Sequence, residues 1–186
     1  MTSVLVPLAE GFEDLEAVTI TDLLTRAGIE TVTAGLLAGP VRGSRGTIIV
    51  PSCQLDEAMD KDFEMIVLPG GQPGATHLEQ DKRIISLIQT MYNKGKFVTA
   101  ICAAPKVLAL AGVLNNKQTT CYPGTFTEKD FPKIALSNDP VVVADTVITS
   151  RSPGTAMDFT LTLIEVLCGK KERGLVEQGL VRPAYE

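Results

Sequence analysis

The chain has 186 residues, of which 45% are hydrophobic, and its 17 basic and 22 acidic side chains give a formal net charge of −5. This size and apolar content are typical of one domain that buries a core without disulfides or metals, and the negative charge argues against a nucleic-acid partner held by phosphate contacts. A single histidine and the absence of tryptophan exclude a cluster of histidine zinc ligands and any mechanism that needs two histidines.

The first third of the chain alternates short apolar runs with a helical pattern. A buried strand is predicted over 4–6, and a helix is predicted over 15–27 because apolar residues recur there every three or four positions. Gly28 is the residue type expected just past a helix C-terminus. The next strand is predicted over 30–36, and residues 47–50 are predicted to form part of a side hairpin.

The rest of the chain continues this alternation. The predicted elements, in chain order, are a strand over 65–68, a helix around 84–91, a strand over 97–100, a helix over 105–110, strands over 141–144 and 147–149, and a helix from about 155 to Gly169. Strands rich in Val and Ile between helices of about 10–15 residues indicate parallel βαβ units covered on both faces. We therefore predict one doubly wound α/β domain over 1–186, which binds ligands beyond the carboxyl ends of its strands.

The N-terminus and the cysteines bear on the compartment. The first apolar run stops at Pro7 and Glu10, unlike a secretory signal, and no stretch reaches the ~18 apolar residues of a membrane span. Four dispersed cysteines without a C-x-x-C pair fit free thiols better than a zinc site or a disulfide scaffold. We expect a cytoplasmic protein without a metal, in which Cys53 and Cys168 are buried small apolar residues.

A cysteine follows the strand predicted over 97–100, where the chain turns into a helix. Cys102 has the small neighbours Ala100 and Ala104, an arrangement similar to a nucleophile elbow with cysteine in place of serine. Because a thiolate is favoured near a helix N-terminus, we expect the pKa of Cys102 to fall below the free-thiol value of ~8.5. The alternative is a buried structural cysteine, which is common.

Two other strand ends lead into unusual residues. Four carboxylates lie within 10–16, and those of Glu13 and Asp14 fit the ordinary first turn of a helix. Glu16 lies among apolar neighbours, so partial burial is expected to favour its protonated form. The glycine pair after the strand over 65–68 either presents backbone N–H groups to an oxyanion or forms only a tight turn.

No histidine is placed to activate the cysteine. His77 follows the glycine-rich turn, where a solvated position is expected, so a cysteine–histidine protease is disfavoured. Glu16 is the remaining candidate acid or base for Cys102. This pairing requires the two strand ends to be adjacent in the sheet.

Four motifs, in the same order, resemble the ThiJ/PfpI superfamily and within it the branch of DJ-1 deglycases and YajL-like proteins. They are EGFEDLEAV (10–18), LPGG (68–71), AICAAP (100–105) and SRSPGTAMDF (150–159), with RAGI (26–29) and SRG (44–46) between the first two. The resemblance covers nearly the whole chain. It implies a flavodoxin-like sandwich with a mostly parallel central sheet, a homodimer, and neither a metal nor an organic cofactor.

The resemblance also implies roles for individual residues. Cys102 corresponds to the reactive, oxidation-prone cysteine of the family, and Glu16 corresponds to the protonated glutamate that hydrogen-bonds it. The backbone N–H groups of Gly71 and Ala103 match an oxyanion-type pocket.

The resemblance also places two arginines near the edge of this pocket, and the chain departs from the family pattern at one position there. Arg45 matches an arginine near the pocket at the homodimer interface, and Arg26 is expected in the same anion-friendly region. Close relatives have a histidine before a proline where this chain, one residue longer, has Cys121 and Tyr122. This change removes a proton shuttle and is expected to bring Tyr122 or Cys121 near the pocket. Cys121 is then a candidate second redox thiol that could form a disulfide with Cys102.

The resemblance implies two kinds of function. One is an enzyme that detoxifies reactive carbonyls under carbonyl or oxidative stress, by glyoxalase III-type conversion of methylglyoxal to lactate or by deglycation of early glycation adducts. The other is a redox sensor or chaperone that works through oxidation of Cys102 rather than turnover. The expected partners are a small carbonyl or glycated substrate and a second copy of the chain, without nucleic acid or membrane.

Overall fold

The computed structural model describes residues 2–182, in which short strands alternate with helices. The strands are β1 (Ser3–Leu8), β2 (Glu30–Gly35), β3 (Val41–Arg42), β4 (Ile48–Ile49), β5 (Cys53–Gln54), β6 (Met65–Leu68), β7 (Phe97–Ile101), β8 (Gln118–Thr119), β9 (Ala135–Leu136), β10 (Val141–Ala144) and β11 (Val147–Ser150). The α-helices are α1 (Asp14–Arg26), α2 (Leu55–Ala58), α3 (Gly74–Gln80), α4 (Lys82–Asn93), α5 (Pro105–Leu110), α6 (Ala156–Cys168) and α7 (Lys170–Gly179), and a 3-10 turn spans Pro153–Thr155.

A seven-stranded sheet with the order β10-β11-β7-β6-β1-β2-β5 runs through the described residues. Its neighbouring strands are parallel except for the antiparallel β10–β11 pair at one edge. The chain moves outward from β1 to β2 and β5 on one side, and outward from β6 to β7 and β11 on the other. The C-terminal ends of β1 and β6 therefore flank the topological switch point, where doubly wound sheets bind ligands.

Helices cover both faces of this sheet. On one face, α1 and α6 pack in a core that includes Val4, Val6 and Val67 of the central strands. On the other face, α4 and α5 pack in a core that includes Leu5 and Ile66. Successive strand residues point to opposite faces, so strands covered on both sides are apolar throughout. This burial explains the continuous apolar runs that identified them in the sequence.

The predicted elements agree with the structure in kind and largely in extent. The strand over 65–68 and the helix over 105–110 coincide with β6 and α5, and residues 47–50 contribute β4 to an antiparallel pair with β3. The sequence pattern did not indicate α7. This helix contains two glycines and buries only Val176, so it carries no apolar stripe by which it could be recognised.

Two cysteines differ from their predicted burial. Cys168 is exposed and Cys53 is only partly buried, so the prediction that both are buried is wrong. Cys168 occupies the end of α6, next to Gly169, and Cys53 lies in the edge strand β5. Neither a helix end nor a sheet edge is covered by neighbouring elements on all sides.

Candidate active site

The chain turns sharply at Cys102, directly after β7. The residue has a φ of +64°, a left-handed conformation that is unfavourable for a side-chain-bearing residue and persists only where the surroundings enforce it. The Cys102 N–H donates to the carbonyl oxygen of Ser150 at 2.9 Å, and the Cys102 carbonyl oxygen accepts from the N–H of Tyr122 at 2.8 Å. These bonds hold the predicted strand-to-helix elbow at the C-terminal ends of β7 and β11.

The glycine pair after β6 allows three chain segments to meet at this elbow. A Cβ on Gly70 would lie 2.9 Å from both the Ala103 nitrogen and the Cys102 Cβ, closer than such atoms approach. Gly71 has a φ of +90°, and a Cβ there would collide with the backbone nitrogen of Glu13. Both positions therefore require glycine, and the close approach brings backbone N–H groups to the cysteine.

Glu16 is fully buried in the first turn of α1, beside the elbow. Its Oε2 accepts a hydrogen bond from the N–H of Gly70 at 2.7 Å, and its carboxyl lies close enough to the Cys102 thiol to interact with it. Its Oε1 has no hydrogen-bond partner within residues 2–182. Burial raises the pKa of Glu16 to about 7, in the direction that its apolar neighbours predicted.

The surroundings of the Cys102 thiol act on its pKa in both directions. Burial and the neighbouring Glu16 carboxylate raise the pKa of Cys102, whereas the backbone N–H groups of Ala103 and Gly71 lower it. The net direction is upward, so the expectation of a thiol pKa below ~8.5 is wrong for a thiol beside an ionised Glu16. Low polarity and a nearby anion both oppose a second negative charge. A thiolate at this position therefore requires Glu16 to be protonated.

A second carboxylate, that of Asp14, ties the loop after β3 to the start of α1. Its oxygens accept hydrogen bonds from the backbone N–H groups of Arg45 and Thr47 at 2.8 and 2.7 Å. Burial acts to raise the pKa of Asp14, but the hydrogen bonds from Thr47 and Arg45 outweigh it and the pKa is lowered. The sequence indicated only a first-turn role for Asp14, because its partners lie 31 and 33 residues away.

Arg45 lies at the edge of this arrangement. Its Nε is 4.0 Å from Oε2 of Glu13, and its side chain is 78% exposed. The N–H of Glu13 donates to the carbonyl oxygen of Gly70 at 2.9 Å, so Glu13 connects the loop of Arg45 with the glycine pair. The structure thus brings Arg45 to the rim of the elbow region.

Arg26 lies at the other end of α1. It pairs with Asp22 at 2.7 Å, and it lies roughly 15 Å along the helix from Glu16 at 1.5 Å per residue. The expectation that Arg26 joins the same anion-friendly region is therefore wrong within one chain. The reason is that α1 starts at the C-terminal end of β1 and runs back toward the opposite edge of the sheet.

Cys121 and Tyr122 lie beside the elbow because the N–H of Tyr122 donates a hydrogen bond to the carbonyl oxygen of Cys102. The tyrosine itself is 49% exposed, whereas Cys121 is buried. Burial raises the pKa of the Cys121 thiol, and Cys121 packs in the core beside α4 and α5 while Cys102 belongs to the core on the opposite face. Both thiols are free, and a disulfide between them stays a prediction.

The described part of the chain offers Cys102 no histidine partner and contains neither a metal cluster nor a membrane-spanning helix. His77 has its Nδ1 2.8 Å from the carbonyl oxygen of Glu10 and makes no hydrogen bond to Cys102. Among residues 2–182, no group of three or more His, Cys, Asp or Glu side chains is arranged to hold a metal ion. No helix within the same residues is both long and apolar enough to cross a membrane.

Comparison with known proteins decides the family. The model of the DJ-1/PfpI family matches residues 2–166. The chain belongs to the DJ-1/PfpI family. This match confirms the resemblance carried by the motifs around Glu16, Gly71 and Cys102.

Relatives in this family match nearly the whole chain. Protein dj-1beta of Drosophila melanogaster is 38% identical over 181 residues, which is 96% of each chain, and its crystal structure superposes with a TM-score of 0.92 and 37% identity over 98% of this chain and 99% of that one. A Caenorhabditis elegans protein named glutathione-independent glyoxalase DJR-1.2 is 35% identical over 165 residues, 88% of this chain and 87% of its own. The structure of oxidized Toxoplasma gondii DJ-1 has a TM-score of 0.92 at 32% identity and covers 99% of this chain and all of that one. These likenesses confirm the α/β fold, and the glyoxalase name supports carbonyl detoxification at the level of the family.

Proposed function

We propose that this protein detoxifies small reactive carbonyls as a glutathione-independent glyoxalase, and that the same site removes early glycation adducts. Cys102 is the nucleophile and Glu16 is the acid and base. The observation that carries the proposal is the buried carboxyl of Glu16 beside the Cys102 thiol, with the N–H groups of Gly71 and Ala103 acting on the same sulfur. The name of the C. elegans relative supports this class of reaction.

The first step is the addition of the thiol to methylglyoxal. The proton of Cys102 passes to Glu16, and the sulfur attacks the aldehyde carbon. The carbonyl oxygen gains negative charge and then a proton from Glu16, which gives a hemithioacetal. Backbone N–H groups beside the sulfur are suited to stabilise the developing oxyanion. The pKa of Glu16 of about 7 suits a group that both accepts and donates a proton near neutral pH.

The second step moves a proton between neighbouring carbons of the adduct. Glu16 removes the hydrogen from the carbon bound to sulfur and returns it to the adjacent carbon. The hydroxyl proton of the hemithioacetal moves to the neighbouring oxygen, which gives a lactoyl thioester. One carbon is oxidised and its neighbour is reduced, so no external oxidant or reductant is consumed. Water then attacks the thioester and releases lactate and the free thiol of Cys102. The net reaction is methylglyoxal plus water to lactate.

The test is a lactate assay with methylglyoxal on three variants. Cys102→Ser and Glu16→Gln should each lower kcat by at least ~10²-fold, the usual contribution of a nucleophile or a proton-transfer group. Cys168→Ser removes an exposed thiol and should keep the rate of the unsubstituted protein. A Cys102→Ser protein that forms lactate at the unsubstituted rate would refute the assignment.

A redox role is the second candidate, and it is favoured by Oε1 of Glu16, which has no hydrogen-bond partner within residues 2–182. The thiolate of Cys102 attacks peroxide to give a sulfenic acid and hydroxide, and a second peroxide gives a sulfinic acid. A protonated Glu16 can hydrogen-bond an oxygen added to the sulfur. The solved T. gondii relative is an oxidized form, which supports this chemistry in the family. Peptide mapping after mild peroxide should show the gain of two oxygen atoms on the Cys102 peptide, absent in Cys102→Ala; an unmodified Cys102 contradicts sensing.

We also propose that the protein acts as a homodimer. The neighbouring helices α1 and α6 pack against each other and expose Leu15, Val18 and Met157 by 51, 46 and 44%. Exposed apolar side chains on adjacent elements are typical of protein interfaces. Light scattering should give the mass of two chains, and Leu15→Glu should give the mass of one. An unsubstituted protein with the mass of one chain contradicts the dimer.

A further inference from the structure

A cleft of about 440 Å³ opens between α3 and the segment that follows β2. Its volume is within the range of small-molecule sites, and it lies at the C-terminal ends of β1 and β2, where α/β sheets bind ligands. Apolar side chains of Leu8, Leu36, Pro40 and Val41 contribute to its lining. Neither Cys102 nor Glu16 is part of the lining, so the cleft is separate from the proposed active site.

The positive charge of Arg83 in this cleft is neutralised by carboxylates of the protein. Arg83 belongs to the lining, and its guanidinium donates to both oxygens of Asp81. It also donates to Oδ1 of Asp56 at 2.8 Å and to the carbonyl oxygen of Leu36 at 2.9 Å. Two carboxylates therefore neutralise Arg83, and four of its five N–H donors are used within the protein. An anionic ligand would find no free cationic partner in Arg83.

Two other residues of the lining carry hydrogen-bond acceptors without a partner among residues 2–182. Nδ1 of His77 lies 2.8 Å from the carbonyl oxygen of Glu10. Because a carbonyl oxygen only accepts, Nδ1 carries the hydrogen, and in the tautomer with this single ring hydrogen Nε2 presents a lone pair. Oε2 of Glu10 accepts from the N–H of Arg42 at 3.1 Å, while its Oε1 has no partner within residues 2–182.

We propose that this cleft binds a small primary alkylamine in its ammonium form. The alkyl chain contacts the apolar lining, and the ammonium group donates hydrogen bonds to Oε1 of Glu10 and Nε2 of His77. An alcohol of the same length donates only one hydrogen and lacks the charge, and a carboxylate of the same length is repelled by Glu10. Because none of these residues takes part in the chemistry of Cys102, this inference is independent of the proposed function.

The test is a titration with n-butylamine at neutral pH, followed by two-dimensional amide NMR on the Cys102→Ser protein. Backbone amides of residues 36–41 and 77 should shift and saturate with a Kd in the millimolar range, as expected for a ligand of five heavy atoms. Glu10→Gln and His77→Phe should each weaken binding by about tenfold, the scale of one charge-assisted hydrogen bond. Glu30→Gln removes an exposed carboxylate at the opposite end of β2 and should leave the Kd unchanged.

Two further ligands make the test independent of folding in the variants. On the unsubstituted cleft, n-butanol and butanoate should bind at least about tenfold more weakly than n-butylamine. Equal binding of n-butanol, or an affinity that Glu10→Gln leaves unchanged, overturns the proposal, as does the lack of a saturable shift with n-butylamine. The dispersion of each spectrum reports the fold of the variant in the same experiment.

Discussion

Substitution of Glu16 by glutamine should change how the stability of the protein depends on pH. Glu16 is fully buried, and its Oε2 accepts a hydrogen bond from the N–H of Gly70. Glutamine has nearly the same shape and keeps an oxygen that can accept this bond, but it cannot ionise. The comparison therefore isolates the free energy of placing a negative charge at this position.

The magnitude follows from the pKa of the carboxyl in the two states. Burial raises the pKa of Glu16 from 4.5 to about 7, so the folded protein holds this proton more tightly than the unfolded chain does. The stabilisation from the bound proton is fully present below pH 4.5 and is lost as pH rises through about 7. At 1.36 kcal/mol per pKa unit, the free energy of unfolding falls by about 3 kcal/mol across this interval because of this one group.

The assay is urea unfolding under reducing conditions at several values between about pH 4.5 and about pH 8. Relative to the unsubstituted protein, Glu16→Gln should gain about 3 kcal/mol of stability over this range as pH rises. Glu30→Gln, in which an exposed carboxylate is changed, should give a profile parallel to that of the unsubstituted protein. If the Glu16→Gln profile is also parallel, the buried carboxyl does not hold the proton and the reasoning fails.

Three further substitutions or modifications test other parts of the site. Gly71→Ala places a Cβ at a φ of +90° and against the backbone of Glu13, so it should lower the free energy of unfolding by about 2 kcal/mol or more; an unchanged urea midpoint contradicts this. Asp14→Ala leaves the N–H groups of Arg45 and Thr47 without their acceptor, so it should lower the free energy of unfolding by about 2 kcal/mol. Proteolysis after Arg45 should also be faster than in the unsubstituted protein. Equal cleavage rates would show that Asp14 does not hold the loop. Iodoacetamide at neutral pH should alkylate the exposed Cys168 before Cys102, whose pKa is raised by burial and Glu16; peptide mapping that finds Cys102 modified first contradicts the raised pKa.

Local sequence patterns were sufficient to predict the central elements and the position of the elbow. The apolar run of β6 and the helix α5 after Cys102 coincide with the predicted bounds, because burial on both sheet faces and small residues at a sharp turn leave a local signature. The raised pKa of Glu16 was also predicted in direction, since its apolar neighbours along α1 are a fair guide to its burial. The helix α7 was missed because it carries no such signature: it buries one residue and contains two glycines.

Properties that depend on partners distant in sequence were decided only by the tertiary structure. The direction of the pKa shift of Cys102 depends on Glu16, which the parallel order of β1, β6 and β7 brings to the same edge of the sheet. The hydrogen bonds by which Asp14 holds the loop of Arg45 also depend on how distant segments pack together. Arg26 was wrongly predicted to lie near the site, because a sequence motif does not state which end of a helix faces the site. Periodicity reports burial along one element, whereas charge–charge distances are set by how elements pack against each other.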